Sequence, residues 1–526
     1  MINIQSRWFY SFIIAGLLAC EHKIKEEVVT VSKPNIIYIL ADDLSYKDLS
    51  VFGQSQYQTP NLDALCNQGI RYDQAYAAAG ECAPSRGTLL TGLHTGHAPI
   101  RQNSSVRGQD HLRDEDITIA EVLKSAGYQT AFVGKWGIGQ PGTEGVPYKQ
   151  GFDYSFGFYD QVRAHTYFPN FLWENDQKIE YRANQGFNMQ KRYDSNVREP
   201  GPEVLNEYTA EGKLVLSEVA DPNGAVFSEA EMEKKALSFV DQNAEQPFFL
   251  YYATQLPHGP VIIDSLGADM NNRKDLPLKQ REWAAMVQRL DYFTGQLVAK
   301  LKEKGVYENT LIVFSSDNGY SMAGYMGRGN APDWENDPWL DNKGPFRGGK
   351  FSVLEGGCRV PMFAHWAGKI EPQVSQTPVW LPDWFATFAQ LSAADSVPIN
   401  DGADLQATWS MQETLLQDRA LYFSRGREQA VRKGKWKAYR KTPDHDVELY
   451  DIANDSYSQN NLANDYPKVV QELTHVLNDS HTPSQWYWDP WENRIEYDAK
   501  KQLALETNQI LPVIRPNSIQ KLPWEK

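Results

Sequence analysis

Apolar residues along the chain fall into two alternating arrangements. Unbroken apolar runs at 35–40 (NIIYIL), 248–254 and 310–315 (TLIVFS) are too short for buried helices and rich in β-branched and aromatic side chains. They predict strands buried on both faces. Residues 117–127 and 281–304 instead carry apolar positions at helical spacing, and 129–133 reads as a further strand after the first of these helices. Such alternation predicts an α/β fold, a large and mainly parallel sheet sandwiched by helices. Each predicted strand runs into polar residues: Asp42-Asp43, Gly134-Lys135, Pro257-His258 and Asp317-Asn318-Gly319. In open α/β sheets ligands gather beyond the carboxyl ends of the strands, so these residues mark one candidate site.

Two stretches break the rhythm. Residues 152–243 and 328–342 have weak periodicity and are expected to form long loops over the site. Beyond about residue 400 the texture changes to short strands at 420–424 and 436–440 and a helix near 469–477, which predicts a smaller C-terminal α+β domain. A Trp- and Pro-rich tail follows His481. At the other end, Arg7 precedes an apolar run over 8–19 that is too short to span a bilayer. That run ends Leu17-Leu18-Ala19-Cys20, similar to a bacterial lipoprotein signal with Cys20 as the lipidated residue. Ordinary secretion with cleavage nearby is the alternative. The expected organisation is a signal over 1–20, a tether over 21–33, a catalytic domain over 34–400, and the C-terminal subdomain and tail over 401–526. The protein is expected to be exported by a bacterium to the periplasm or cell surface, touching membrane only through a lipid on Cys20.

Composition narrows the function. The 526 residues are 41% hydrophobic and 12% aromatic, which suits a large globular enzyme. A net charge of −15 argues against nucleic acid and anionic membrane as partners. An anionic substrate would require the positive charge to be concentrated in one pocket. Four cysteines do not make a disulfide scaffold, and whether Cys66 and Cys358 pair is open at this point.

The polar residues at the strand ends carry the chemistry. Asp42-Asp43 and Asp317-Asn318 together offer hard oxygen ligands, suited to calcium or magnesium rather than zinc. Cys82-Ala83-Pro84-Ser85-Arg86 opens a predicted helix, whose free N–H groups favour an oxyanion. An unmodified cysteine in that position is expected to have a lowered pKa and could itself be a nucleophile.

Cys82-x-Pro84-Ser85-Arg86, followed by Leu90-Thr91-Gly92, resembles the signature of the formylglycine-dependent (type I) sulfatases of the alkaline phosphatase superfamily. The likeness runs from Pro34-Asn35-Ile36 to Glu448-Leu449-Tyr450-Asp451 and is nearest in kind to bacterial arylsulfatase A-like enzymes acting on carbohydrates. It implies that a maturation enzyme oxidises Cys82 to formylglycine, whose hydrate attacks sulfur. It implies one divalent cation, calcium first and magnesium second, held by Asp42, Asp43, Asp317, Asn318 and the modified Cys82. Arg86 would hold the hydrate, Lys135 and Lys350 would clamp the sulfate oxygens, and His258 would protonate the leaving alkoxide. These residue types suit the reaction, because an anionic ester resists attack by another anion unless cations neutralise its oxygens.

The sequence departs from the family at two places. Gly137 stands where many members have a histidine thought to help discharge the sulfated intermediate, which leaves His94, His97 and His165 as candidates for that base. Leu93 replaces a common arginine. Gly137 with Arg163-Ala164-His165 resembles a bacterial subgroup acting on sulfated galactose or N-acetylgalactosamine units of polysaccharides, with His165 as a substrate contact. Trp173, Trp334 and Trp339 are candidate sugar-stacking residues, whereas Glu355 and Arg359 are read as structural. Two alternatives stand beside the carbohydrate sulfatase: a phosphonate or phosphodiester hydrolase on the same scaffold, and an inactive surface glycan-binding protein.

Overall fold

The computed structural model describes residues 33–103, 110–187, 206–321, 341–410 and 416–484. The leader with Cys20, most of the tether, Trp334, Trp339 and the tail beyond 484 lie outside the described residues. Among the described residues, no helix is long and apolar enough to cross a membrane.

The apolar runs form the middle of a ten-stranded sheet. Asn35–Ala41 lies at its heart, parallel to Thr310–Ser316 on one side and Phe248–Ala253 on the other. Gln129–Lys135 and Tyr154–Phe158 continue the parallel order beyond Phe248–Ala253. Met362–His365 joins Thr310–Ser316 antiparallel, so the sheet is mixed at its flank. The first strand therefore has later strands on both sides, a topological switch point with a crevice at its carboxyl end.

Alternation along each central strand builds two cores. Ile37 and Ile39, with Leu250, Tyr252, Ile312 and Phe314, face one side and pack under the helices Ser228–Asn243 and Leu278–Glu303. Ile36, Tyr38 and Leu40, with Phe249, Tyr251, Leu311 and Val313, face the other side and pack with the helices Cys82–Thr91, Ile119–Ser125 and Pro382–Ser392. Helix Ile119–Ser125 starts at a capping box, in which the Thr118 hydroxyl accepts from the Glu121 N–H and the Glu121 carboxylate accepts from the Thr118 N–H.

The stretch 152–243 is more ordered than its polarity suggested. Tyr154–Phe158, Phe171–Glu174 and Gln177–Glu180 extend the main sheet, and Ser228–Asn243 is a helix burying Met232, Ala236, Phe239 and Val240. Those four apolar residues stand at helical spacing among Glu and Lys, which dilute the pattern in sequence. Trp173 stacks on Tyr159, its ring centroid 6.0 Å away, within this sheet extension.

The C-terminal part is a four-stranded antiparallel meander, Ala420–Arg425, Glu428–Lys433, Trp436–Arg440 and Glu448–Asp451, backed by helix Pro467–Asp479 through Leu473 and Leu477. Leu421, Phe423, Ala430 and Tyr439 dock it on Tyr76, Val353, Cys358 and Trp380 of the larger part.

Candidate active site

Four strand ends and one helix start converge at a buried point. Hydrogen bonding continues just past the strands: the Asp42 N–H donates to the Leu256 carbonyl at 2.9 Å and the Asp317 N–H to the Ala41 carbonyl at 3.0 Å. Asp43 takes a left-handed conformation with φ of 64°, which Asp tolerates better than most side chains, and this turns the chain sharply as it leaves the strand. At Gly134, φ is 131° and a Cβ would lie 1.9 Å from the Ala253 carbonyl oxygen, so only glycine lets the strand carrying Lys135 run this close to its neighbour.

The Cys82 Sγ lies 3.4 Å from Asp42 Oδ1, 3.9 Å from Asp43 Oδ1 and 3.5 Å from Asn318 Oδ1. Asn318 Nδ2 donates to Asp43 Oδ1 at 2.8 Å, and the Asp43 N–H to Asp317 Oδ1 at 3.1 Å. Arg86 lies on the same helix as Cys82, one turn on. Its Nε and Nη2 donate to Asp317 Oδ2 at 3.1 and 2.7 Å, and Nη1 donates to the Lys135 carbonyl at 2.5 Å. The Lys135 ammonium donates to Asp42 Oδ2 at 2.6 Å, and the Lys350 ammonium donates to both Asp43 oxygens at 2.7 and 2.9 Å. Each of these side chains is buried.

His258 completes the ring of groups. Its Nε2 is 3.3 Å from the Lys350 ammonium and 3.4 Å from Asp43 Oδ2, while Nδ1 contacts the Gly259 carbonyl. A proton on Nδ1 satisfies that carbonyl and leaves Nε2 as the acceptor for Lys350. The Tyr167 hydroxyl donates to the carbonyls of Gln255 and His258 at 3.0 and 2.5 Å and pins this turn. His165 stacks on His258 with ring centroids 4.0 Å apart.

Electrostatics reflect the crowding. Burial is the largest influence on Asp43 and raises its pKa, but Lys350, His258 and Lys135 outweigh it and hold the carboxyl well below the usual range. Asp317 is shifted the other way, by burial and by the charge of Asp42, despite Arg86. Burial pushes His258 down to about 3, with Lys350 and Lys135 adding to the effect against Asp43. The expectation of a lowered Cys82 pKa is overturned. Burial, with the Asp317 and Asp42 carboxylates, pushes the thiol well up, so an unmodified cysteine here stays protonated despite the helix N-terminus.

The donor set fits a hard divalent cation. Asp42, Asp43, Asp317 and Asn318 present carboxylate and amide oxygens around the Cys82 side chain, and Asp42, Asp43, Cys82 and His258 offer ligand atoms within 4.8 Å of one another. Asp42, Asp43 and Asp317 carry three negative charges against those of Arg86, Lys135 and Lys350. Like-charged carboxylates this close favour a cation among them.

The three histidines proposed as a base separate. His94 and His97 follow the far end of the Cys82–Thr91 helix, where they stack on each other 4.1 Å apart and contact Asp401. His165 is the one that joins the site. At Gly137, φ is 78° and a Cβ would lie 3.1 Å from Gln161 Oε1, so Gln161 fills the space a side chain there would need. Glu355 and Arg359 form an ion pair at 3.1 Å, with Glu355 buried and Arg359 partly so. Cys66 and Cys358 are separate buried thiols. Sequence reading missed Asn103, whose Oδ1 accepts the Ala83 N–H at 3.0 Å and caps the helix that opens at Cys82, and Glu81, which accepts the Asn103 N–H at 2.8 Å. Both lie outside any recognisable motif.

Comparison with known proteins agrees with this geometry. The family described as Sulfatase matches residues 34–394. The N-acetylgalactosamine-6-O-sulfatase of Bacteroides thetaiotaomicron is 29% identical over 522 residues, covering 88% of this chain and 96% of that protein. The N-acetylgalactosamine-6-sulfatase of Canis lupus familiaris is 30% identical over 426 residues, covering 77% of this chain and 71% of that protein. Among solved structures, Ps i-CgsB in complex with k-i-k-neocarrahexaose superposes with a TM-score of 0.68 at 27% identity, covering 91% of this chain and all of that one.

Proposed function

Because the chain belongs to the sulfatase family and is therefore an enzyme that hydrolyses sulfate esters, we propose that its substrate is a sulfated carbohydrate and its nucleophile is Cys82 matured to formylglycine. The observation that carries the reading is the convergence of Asp42, Asp43 and Asn318 oxygens on the Cys82 side chain, with Lys135, Lys350 and His258 close by. A divalent cation, calcium by preference for an all-oxygen set, would be held by Asp42, Asp43, Asp317 and Asn318 and would supply positive charge against the ester oxygens.

This chain's own residues do the rest. Arg86 holds Asp317 and stands beside the nucleophile, keeping its hydroxyl oriented. Lys135 and Lys350 exchange their carboxylate contacts for sulfate oxygens as the ester enters. As one hydroxyl of the hydrated aldehyde attacks sulfur it gives up its proton and the bond from sulfur to the sugar oxygen breaks; His258, neutral at rest and within 4.8 Å of the Cys82 side chain, takes that proton on Nε2 and passes it to the departing oxygen. The second hydroxyl then loses a proton, the aldehyde reforms, and sulfate leaves. A plain thiol or serine has no second hydroxyl and would stay sulfated.

A galactose-type unit, N-acetylgalactosamine or galactose, is the favoured substrate. Support comes from the N-acetylgalactosamine named for the two relatives and from His165, which stacks on His258 and would meet the sugar there. The leader, with Arg7, the apolar run and Cys20, supports export and lipid anchoring in a bacterium. The test is sulfate release from defined sulfated saccharides, after mass spectrometry of the peptide containing residue 82. Release by aldehyde-bearing enzyme is the expected result. Plain cysteine in active enzyme would defeat the nucleophile, and a large preference for an aryl phosphodiester would favour the phosphorus-ester alternative. Glycan binding without release by matured enzyme would favour the inactive one.

A further inference from the structure

Arg425, at the end of strand Ala420–Arg425 in the C-terminal sheet, reaches back to the neighbours of two active-site residues. Its Nε pairs with Glu81, which immediately precedes Cys82. Its guanidinium carbon stands 5.3 Å from the ring centroid of Phe351, which immediately follows Lys350. The Lys350 ammonium lies 5.5 Å from the same centroid, so the two cations are no more than about 11 Å apart with one aromatic ring between them.

The bonding of Arg425 is incomplete in a way that suits a ligand. Guanidinium carries five N–H donors in a planar fork. Among the described residues, Glu81 accepts from Nε alone, and the two terminal nitrogens donate to no side chain or carbonyl. The side chain is 38% exposed, whereas Glu81 is 5% exposed and Cys82 is fully buried. The fork is thus held at its inner edge by Glu81 and over Phe351, with its outer edge turned to water. An arginine serving only to join the two parts would be expected to engage the carboxylate with its terminal nitrogens as well. On a chain of net charge −15, a cation fixed between the buried centre and solvent is a local reversal of sign.

We infer that Arg425 forms a subsite for a second anionic group on the glycan, a sulfate ester or a carboxylate adjoining the sulfate that is cleaved. The inference rests on the sulfatase reading above and extends it from a sulfated sugar to a polyanionic saccharide. Fixed donors give planar, paired recognition of such a group.

The test compares aldehyde-bearing wild type with Arg425→Gln on three probes: a monosulfated galactose-type monosaccharide, an oligosaccharide of the same units carrying a second sulfate, and one carrying a uronate instead. For Arg425→Gln, KM is expected to rise about tenfold on one or both doubly charged probes, with kcat held and the monosulfated sugar unaffected. Which of the two responds identifies the anion. Arg425→Lys, which keeps the charge without the fork, is expected to fall between. Equal losses on all three probes from Arg425→Gln would mean a purely structural ion pair and overturn the inference, as would an unchanged KM on both doubly charged probes. Release from no probe by the wild type would instead remove the sulfatase reading, and the inference with it.

Discussion

The imidazole of His165 lies nearly parallel to that of His258, with ring centroids 4.0 Å apart and planes 14° from coplanar. The stack holds the His258 ring so that Nε2 faces Lys350 and Asp43. If His258 protonates the leaving oxygen, its effect must depend on how badly that oxygen needs a proton. His258→Gln is expected to lower kcat/KM on a sugar sulfate by about 10²- to 10⁴-fold, and far less on an aryl sulfate with an acidic phenol. Equal losses on both would exclude the proton-donor role. His165→Phe keeps the stacked ring but loses both nitrogens, so it is expected to raise KM for the sugar about tenfold while kcat stays near wild type.

Removal of divalent cations should uncover the carboxylate cluster. Treatment with a chelator is expected to abolish turnover and lower Tm, and calcium in hundredfold excess over its Kd should restore about 2.7 kcal/mol of stability. Asp42→Asn removes a charged oxygen ligand without changing its shape and should erase most of that calcium-dependent rise in Tm. A rise of wild-type size in this variant would place the cation away from Asp42.

Much of this centre could be read in advance because strand ends and helix starts are written locally. Asp42, Lys135, His258 and Asp317 each follow a short apolar run, and Cys82 opens a compact motif, so chain position alone predicted their meeting. What could not be read depended on long-range packing. The helix N-terminus at Cys82 suggested a reactive thiol, but burial beside Asp317 and Asp42 outweighs the helix and keeps it protonated. Gln161 fills the space above Gly137, and nothing near either residue signals the contact. Polar Glu and Lys hid the helix Ser228–Asn243, whose stability comes from the face it buries.

The C-terminal sheet is tied to the catalytic region by a buried ion pair. Lys437 Nζ lies 3.0 Å from Glu355 Oε1, while Tyr76 and Arg359 donate to Oε2 at 2.9 and 3.1 Å. The next two residues, Gly356 and Gly357, accept from the N–H groups of Tyr320 and Gly319, directly after Asn318. Burial raises the Glu355 pKa, but Lys437, Arg359 and Arg432 outweigh it and bring the carboxyl down to about 2. Lys437→Met leaves a buried carboxylate short of a partner and is expected to cost about 3–5 kcal/mol. Pairing it with Glu355→Gln should recover part of that loss. Thermal unfolding of the single and double variants checks this, and an unchanged Tm for Lys437→Met would show that Arg359 and Arg432 suffice.

Glu229 should make stability fall as pH rises. Its Oε1 accepts from the Tyr252 and Thr254 hydroxyls at 2.5 and 2.6 Å, and its Oε2 is buried with no hydrogen-bond partner among the described residues. Burial, with Glu233 adding to it, raises the pKa from 4.5 to about 7 against the pull of Arg289 and the two hydroxyls. Because the folded value is the higher one, the folded protein binds the extra proton, and stability is fully present below pH 4.5 and lost as pH rises through about 7. A rise of that size is worth up to ~3 kcal/mol. Glu229→Gln keeps an oxygen for Tyr252 and Thr254 without the charge. It is expected to be more stable than wild type at pH 8 and to differ little from it at pH 4. Urea unfolding of both proteins across that range measures the difference. A gap that does not widen between pH 4.5 and pH 7 would mean that Glu229 is already ionised in the folded protein, with Arg289 compensating its charge.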